Sequence, residues 1–232
     1  MEVIHVDKYK AQRFVLFNFE TTSYCNAKCP SCFRTTERYF SFDNSFKLNH
    51  LSTEDFDTFL WENGKHLRYI RLSNNIVAKF CGELGDPLMH PEIDELVLLA
   101  SNFFDRVEIY TNGGLRTPEW IKSFLQKNKK LFLVFSIDGL THKTNKLYRI
   151  DVNTDLAFNN MFESAKQRVT KWDFTVFDHN FQEVDQVIAL AKEKNIKLNV
   201  RINEREYSKI TEKNLIKLKN TLFRLGVGYV GP

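Results

Sequence analysis

Three of the four cysteines of this 232-residue chain, Cys25, Cys29 and Cys32, lie within eight consecutive residues. A disulfide framework uses separated cysteines that close loops, so this grouping favours a thiolate site for a cofactor in a reducing compartment. Spacings of four and then three residues allow one compact loop to bind three corners of an iron–sulfur cube. Because the cube has four irons, one iron would stay open to a ligand from outside the protein.

A structural zinc site and unrelated free thiols are the two other interpretations of these cysteines. Zinc takes four ligands, and the nearest histidine, His50, lies eighteen residues beyond Cys32. Cys81 stands apart from the other cysteines and is able to complete such a site. The spacing alone therefore leaves open a second class of protein, a non-enzymatic zinc-stabilised module that binds nucleic acid through its lysines.

Polar and glycine-containing stretches recur further along the chain, each after a run of apolar residues. Glycine allows the backbone to approach a ligand closely, and neighbouring polar side chains supply hydrogen bonds. Taken singly, Asn-Gly and Asp-Gly are ordinary turn dipeptides. They indicate a site only because they follow successive strand-like runs in order along the chain. These residues are candidates for a ligand site, the resemblance described below implies that they bind a cofactor, and none is assigned as a catalytic acid, base or nucleophile. They are Gly82, Glu83, Gly85, Asp86, Thr111, Asn112, Ser136, Asp138 and Asn180.

Strand-like and helix-like segments alternate along the chain and position these residues. Apolar runs rich in Val, Ile, Phe and Leu predict strands at 14–20, 76–81, 106–111, 131–136, 172–177 and 196–202. Helical periodicity predicts helices at 52–63, 91–104, 118–127, 155–168, 182–194 and 212–225. Such repeats imply parallel strands with right-handed crossovers in an α/β fold, a partial (β/α)6 barrel of the TIM type. The loops that follow the strands then gather on one face.

Local signals mark several helix starts. Ser52 is expected to cap the first helix, with Asp55 three residues on. Pro91 and Pro118 stand where the missing N–H of proline costs nothing. Asn180 is expected either to cap the helix that follows it or to contact a ligand.

Length, composition and charge limit the classes to which the protein can belong. An apolar fraction of 43% allows one sizeable core, so we expect a single domain over residues 1–232, with its core at 14–202 and a C-terminal helix and tail at 203–232. The net charge is a modest +4, and the lysines are spread over predicted helices, which favours solvated helix faces over an RNA-binding surface. No apolar run approaches the roughly 20 residues that a bilayer requires, and acidic residues stand near the start. We therefore expect a cytoplasmic protein without a membrane anchor.

The spacing Cys-x3-Cys-x2-Cys after the first predicted strand resembles the signature of the radical S-adenosylmethionine (SAM) superfamily. The stretch 25–34 is similar to the branch that includes molybdenum-cofactor enzymes and peptide-modifying maturases, although Ser31 stands where many members carry an aromatic residue. Leu-Gly-Asp-Pro at 84–87 resembles the superfamily's Gly-Gly-Glu-Pro string, with Gly82 and Glu83 as the alternative register. The endings Thr-Asn-Gly at 111–113, Ser-x-Asp-Gly at 136–139 and Asn-x-x-Glu at 180–183 resemble its later motifs.

The resemblance covers residues 14–202 and implies a [4Fe-4S] cluster on Cys25, Cys29 and Cys32 whose open iron holds SAM. An external reductase of the flavodoxin or ferredoxin type would reduce the cluster. SAM would then be cleaved to methionine and a 5′-deoxyadenosyl radical, which would abstract hydrogen from a substrate. The resemblance also implies that Asp86, or Glu83 in the alternative register, accepts a hydrogen bond from the SAM ammonium.

The substrate class is the least determined expectation. Branch similarity favours a peptide or protein side chain, and the positive charge places a nucleoside or RNA second. No cysteine follows residue 203, so we expect no auxiliary-cluster domain. Specificity is expected in the segments 33–51, 141–154 and 203–232, with 33–51 acting as a lid. Arg149 either binds a carboxylate or phosphate or covers the surface.

Overall fold

In the part of the chain that the structure describes, seven parallel strands, each paired with the next along the chain, form one sheet. The computed structural model describes residues 14–32, 34, 48–204 and 207–230. The order of strands in the sheet follows their order in the chain, and the sheet curls into a half-barrel. Within this described part of the chain, no helix is both long enough and apolar enough to cross a membrane.

Helices alternate with the strands throughout. The strands are β1 Phe14–Glu20, β2 Asn75–Cys81, β3 Arg106–Thr111, β4 Leu131–Ser136, β5 Lys171–Val176, β6 Lys197–Ile202 and β7 Tyr229–Val230. The helices are α1 Thr53–Arg71, α2 Ile93–Phe103, α3 Pro118–Lys127, α4 His142–Asn145, α5 Thr154–Gln167, α6 Val184–Glu193 and α7 Glu212–Leu225. Short 3-10 turns at Pro87–Met89 and Phe181–Glu183 follow β2 and β5.

The predicted partial barrel is confirmed, and all six predicted strands are present within one residue of their expected bounds. The Ser52 hydroxyl accepts a hydrogen bond from the Asp55 N–H at 3.0 Å, as the cap prediction requires. Pro118 is the first residue of α3, whereas α2 begins at Ile93, two residues after Pro91. The segment predicted as a lid, 33–51, lies outside the described residues at 33 and 35–47.

Helix α1 continues to Arg71, although the sequence pattern predicted its end at residue 63. Gly64 directly follows the predicted end, and the structure buries it inside the helix. A Cβ at this position would lie 3.1 Å from the Phe103 ring, so α1 and α2 pack closely because position 64 has no side chain. Leu67 continues the buried stripe beyond the glycine and stabilises the extra turns.

The two faces of the sheet differ in chemistry because consecutive side chains of a strand point to opposite faces. On the outer face, Phe80, Ile109 and Phe174 are fully buried beneath the helices. The inner face, which lines the half-barrel, carries polar and charged side chains toward the carboxyl ends of the strands, among them Lys79 and Tyr110. The half-barrel therefore has an apolar outer layer that stabilises the fold and a polar lumen.

Candidate active site at the carboxyl ends of the strands

The cysteine loop, residues 21–32, directly follows β1, and backbone hydrogen bonds hold its first residues. Thr22 forms an antiparallel bridge with His50. Beside it, the Ser23 N–H donates to the Asn49 carbonyl and the Leu51 N–H donates to the Thr21 carbonyl, both at 2.9 Å. The chain therefore leaves the loop after Cys32 and returns, at 49–51, to pair with the residues that precede Cys25.

N–H groups lie near two of the three thiols. The Cys25 sulfur accepts from the Ala27 N–H at 3.4 Å and lies 4.0 Å from the Asn112 amide nitrogen. The Cys29 sulfur lies 3.8 Å from Nη1 of Arg149. Such donors stabilise sulfur that carries negative charge, so these positions suit thiolates bound to a metal cluster.

The third thiol, Cys32, is half-buried and donates a hydrogen bond to the Glu83 carbonyl at 3.9 Å. Burial raises the pKa of Cys25 to about 11 and also raises the pKa of Cys29. Without a metal, the thiols of Cys25 and Cys29 therefore keep their protons at neutral pH. Binding of a metal cluster would replace those protons, as for any thiolate ligand.

The donor set fits a cube better than a single ion. Among the described residues, no three His, Cys, Asp or Glu side chains lie close enough together to hold one metal ion. A cube makes a different demand, because each thiolate binds its own iron. The two residues considered as a fourth zinc ligand have other contacts: Nδ1 of His50 lies 2.9 Å from the Thr22 hydroxyl, and the Cys81 thiol donates to the Glu20 carboxylate at 3.2 Å.

A cavity of about 530 Å³ opens beside the cysteine loop and continues down the lumen of the half-barrel. Cys29 and Cys32 form part of its wall, and Ser136 and Arg149 line it from β4 and the loop that follows. Gly82 and Glu83 lie at the same cavity. The structure thus brings together five of the predicted site residues with Arg149 around one space.

The turn at 82–86 is held by a residue that the sequence reasoning missed, Glu20 at the end of β1. Its carboxylate accepts hydrogen bonds from the backbone N–H groups of Glu83 at 3.3 Å and Leu84 at 3.2 Å. Within this turn, a Cβ on Gly82 would lie 2.2 Å from the Gly85 carbonyl oxygen. A Cβ on Gly85 would lie 2.2 Å from the Thr22 carbonyl oxygen, so both positions require glycine.

The Asp86 carboxylate is 4% exposed and accepts several hydrogen bonds within the protein. The donors are the Thr111 hydroxyl at 2.9 Å, the Asn112 N–H at 2.8 Å and the Leu88 N–H at 3.0 Å. Burial raises the pKa of Asp86, while these hydrogen bonds act to lower it. The carboxylate therefore connects the end of β2 with the end of β3.

Asn112 continues this connection toward the cysteines. Its amide nitrogen donates to Oδ1 of Asn26 at 2.7 Å, and its amide oxygen accepts from the Gly114 N–H at 2.9 Å. Asp86, Thr111 and Asn112 thus form one chain of hydrogen bonds that ends on the cysteine loop.

Asp138 and Asn180 hold the ends of β4 and β5. Asp138 is fully buried, and its carboxylate accepts from Nε of Arg149 at 2.6 Å and from the Thr175 N–H at 2.7 Å. The Asn180 amide donates to the carbonyls of Asp138 at 2.8 Å and Thr175 at 2.9 Å, and its oxygen accepts from the Phe177 N–H. Asn180 stands at the N-cap position of the 3-10 turn Phe181–Glu183, as one of its two expected roles requires, but its side chain makes no capping hydrogen bond because these contacts use its polar atoms.

Cys81→Ser is expected to leave cluster assembly intact. Cys81 is 6% exposed, and its thiol already has an acceptor in Glu20. Burial, followed by the charge of Glu20, raises the pKa of Cys81 to about 12, so the thiol keeps its proton for this hydrogen bond. Serine keeps the donor and nearly the same volume, so iron content after anaerobic reconstitution should equal that of the wild type. Loss of iron in this variant would make Cys81 a fourth ligand and close the open position.

The comparison with protein families identifies the class of protein that this half-barrel and its thiol loop define. The sequence model of the radical SAM superfamily matches residues 19–203, and the chain belongs to this superfamily. Enzymes of this superfamily carry a [4Fe-4S] cluster and SAM and need an electron donor. The resemblance inferred from the cysteines and strand endings is therefore confirmed.

Solved structures with the same fold include three that bear on this protein. Streptococcus suis SuiB bound to SAM has a TM-score of 0.66 at 15% identity, over 94% of this chain and 50% of that chain. Native anSMEcpe with bound AdoMet has a TM-score of 0.68 at 20% identity, over 91% and 60%. TYW1 with a lysine–pyruvate adduct has a TM-score of 0.56 at 14% identity, over 91% and 73%.

At these low identities, the structural likeness shows a shared fold and no more. The chain spans about half the length of SuiB. No curated protein matches the sequence.

Proposed function

We propose that this chain reductively cleaves SAM at a [4Fe-4S] cluster on Cys25, Cys29 and Cys32 and abstracts hydrogen from a peptide or protein side chain. The observation that carries the proposal is the cysteine loop at the mouth of a polar cavity, with N–H donors directed at Cys25 and Cys29. When bound, the reduced cluster supplies the electron that cleaves SAM to methionine and a 5′-deoxyadenosyl radical, which takes the substrate hydrogen.

The protein's own part is to hold SAM in place. Gly82, Glu83 and Ser136 are at the cavity, so we assign them direct contact with SAM. The remaining predicted residues support these contacts through the hydrogen bonds described above. We assign this supporting role to Gly85, Asp86, Thr111, Asn112, Asp138 and Asn180.

A peptide substrate is supported by what the related structures contain. SuiB has been solved bound to its precursor peptide SuiA, and anSMEcpe with bound peptides. A nucleoside or RNA is the second candidate, because the chain carries a net charge of +4. We assign substrate specificity to the segments 33–51, 141–154 and 203–232.

The electron donor in this proposal is an external flavodoxin or ferredoxin. The same proposal puts the protein in the cytoplasm as one domain over residues 1–232, since a reducing compartment keeps thiols available for a cluster. A purified flavodoxin with its reductase should therefore replace dithionite in the assay below.

The first test is anaerobic reconstitution followed by dithionite and SAM. We expect a brown protein with about four irons per chain that forms 5′-deoxyadenosine. Cys29→Ala should lose both the iron and the nucleoside product, because a cluster with two protein ligands is not retained. Cys81→Ser is the matched control and should keep both.

Stoichiometric zinc without iron in anaerobic preparations would contradict the proposal. It would favour the zinc-stabilised nucleic-acid module that the cysteine spacing alone left open. If the protein binds iron but does not cleave SAM, the cluster assignment stands and the assigned reaction is contradicted.

A further inference from the structure

The lumen of the half-barrel, below the cysteine loop, carries more positive than negative charge. Glu108 is paired with Arg106 at 2.7 Å and with Lys171 at 2.9 Å. Asp173 is paired with Arg201 at 3.0 Å. Both of these inner-face carboxylates are therefore neutralised by cations of the same face. Lys79 is a further cation of this face that takes part in neither set of ion pairs.

Two acidic groups nearer the mouth have other hydrogen-bond or ion-pair partners. Glu20 is bound to the backbone N–H groups of the 82–86 turn, and Asp138 is paired with Arg149. Glu83 and Glu204 line the cavity with exposed side chains, so water screens their charges.

Lys79 lacks a carboxylate partner within ion-pair distance among the described residues. Its ammonium lies 4.3 Å from the centre of the Tyr110 ring, and the residue is half-buried in the cavity wall. The Tyr110 hydroxyl donates to Glu108 at 3.1 Å, and burial, followed by the charge of Glu108, raises the pKa of the phenol. Tyr110 therefore stays neutral and gives the ammonium no counter-charge.

We propose that Lys79, together with Arg201, binds the carboxylate of an acidic residue in the peptide substrate. The inference rests on the proposed function above and adds the charge of the substrate. A half-buried ammonium without a counterion is unfavourable, and an incoming oxyanion relieves that cost. Arg201 contacts Asp173 through Nη2 and has further N–H groups, so it can donate a hydrogen bond to the same oxyanion. A phosphate group has the same recognition chemistry, and the experiment separates the two.

The test uses deuterated peptide libraries of one length that contain glutamate, glutamine, lysine or phosphoserine at the varied position. Deuterium in 5′-deoxyadenosine reports hydrogen abstraction from the peptide without knowledge of the product. The variants are Lys79→Met, Lys79→Glu and, as a control outside the lumen, Lys166→Met, whose side chain is 71% exposed. SAM binding and uncoupled SAM cleavage are measured on each variant beside deuterium transfer.

The wild type is expected to take deuterium from the glutamate library at least about tenfold more than from the glutamine library, as for loss of a charged hydrogen bond. Lys79→Met should abolish that preference and leave SAM binding unchanged. Lys79→Glu should transfer most deuterium from the lysine library. Lys166→Met should behave as the wild type. A preference for phosphoserine over glutamate would assign the site to phosphate and overturn the carboxylate assignment.

Weaker SAM binding in Lys79→Met would overturn the proposal, because the ammonium would then serve SAM. Equal transfer from the glutamate and glutamine libraries would also overturn it. 5′-Deoxyadenosine without deuterium from any library would reject a peptide substrate and the inference with it, while the proposed SAM cleavage would stand. Absence of 5′-deoxyadenosine from the wild type would instead reject the proposed function itself.

Discussion

Asp86→Ala is expected to destabilise the metal-free protein by roughly 3 kcal/mol or more, because it leaves buried donors on Leu88, Thr111 and Asn112 without an acceptor. The residue is 4% exposed, so water cannot replace the carboxylate without opening the fold. Denaturant unfolding of the metal-free chain measures the effect without interference from the cluster. Asp86→Asn keeps the size of the side chain and should lose less stability, which preserves the test if alanine prevents folding.

The matched control is Asp155→Ala, an exposed aspartate in the first turn of α5, which should change stability by at most about 0.5 kcal/mol. The sequence resemblance gave a different expectation, that the Asp86 carboxylate binds the SAM ammonium. Wild-type stability together with a ten- to hundredfold weaker SAM affinity, the range for a charged hydrogen bond, would favour that expectation. If Glu83→Ala alone weakens SAM binding, the alternative register of the motif is correct.

Arg149→Met is expected to have two separate effects. It leaves the fully buried Asp138 carboxylate without its cation, which should cost roughly 3 to 5 kcal/mol of folding stability. It also removes the N–H group 3.8 Å from the Cys29 sulfur. A donor at a cluster thiolate stabilises the more negative, reduced cluster, so its loss should lower the midpoint potential by on the order of 50 mV, about a tenfold change for one electron.

An EPR-monitored redox titration without SAM or substrate measures the potential. The double variant Asp138→Asn with Arg149→Met should recover part of the stability but not the potential, since it removes the buried charge and still lacks the donor. Arg116→Met is the control, because Arg116 bonds the carbonyls of Leu88 and His90 instead of a cysteine. An unchanged potential with lost SAM binding would show that the guanidinium serves the SAM carboxylate.

Features encoded by nearby residues were predictable from the sequence. The strands follow from local apolar runs, and the Ser52 cap joins residues three positions apart. The superfamily was evident because its cysteine motif is short and continuous. The end of α1 was mispredicted because burial of Gly64 depends on Phe103, which belongs to another helix.

The roles of individual site residues depend on which strand ends become neighbours, and a single sequence does not reveal that. Asp86 meets Thr111 across 25 residues, Glu20 meets Glu83 across 63, and Arg149 meets Cys29 across 120. Nothing beside Glu20 in the sequence marks it as the acceptor for the turn at 82–86. The motif residues were identified as a group, but their division into cavity contacts and supporting contacts required the fold.

The bridge between Thr22 and His50 joins the start of the thiol loop to residues that lead directly into α1. The hydrogen bonds at 21–23 and 49–51 use backbone atoms, so they are available to any side chain except proline at the donor positions. Anchoring of the cysteines is thus coupled to the position of α1, and a substitution that shifts the start of that helix is expected to move the thiol loop with it.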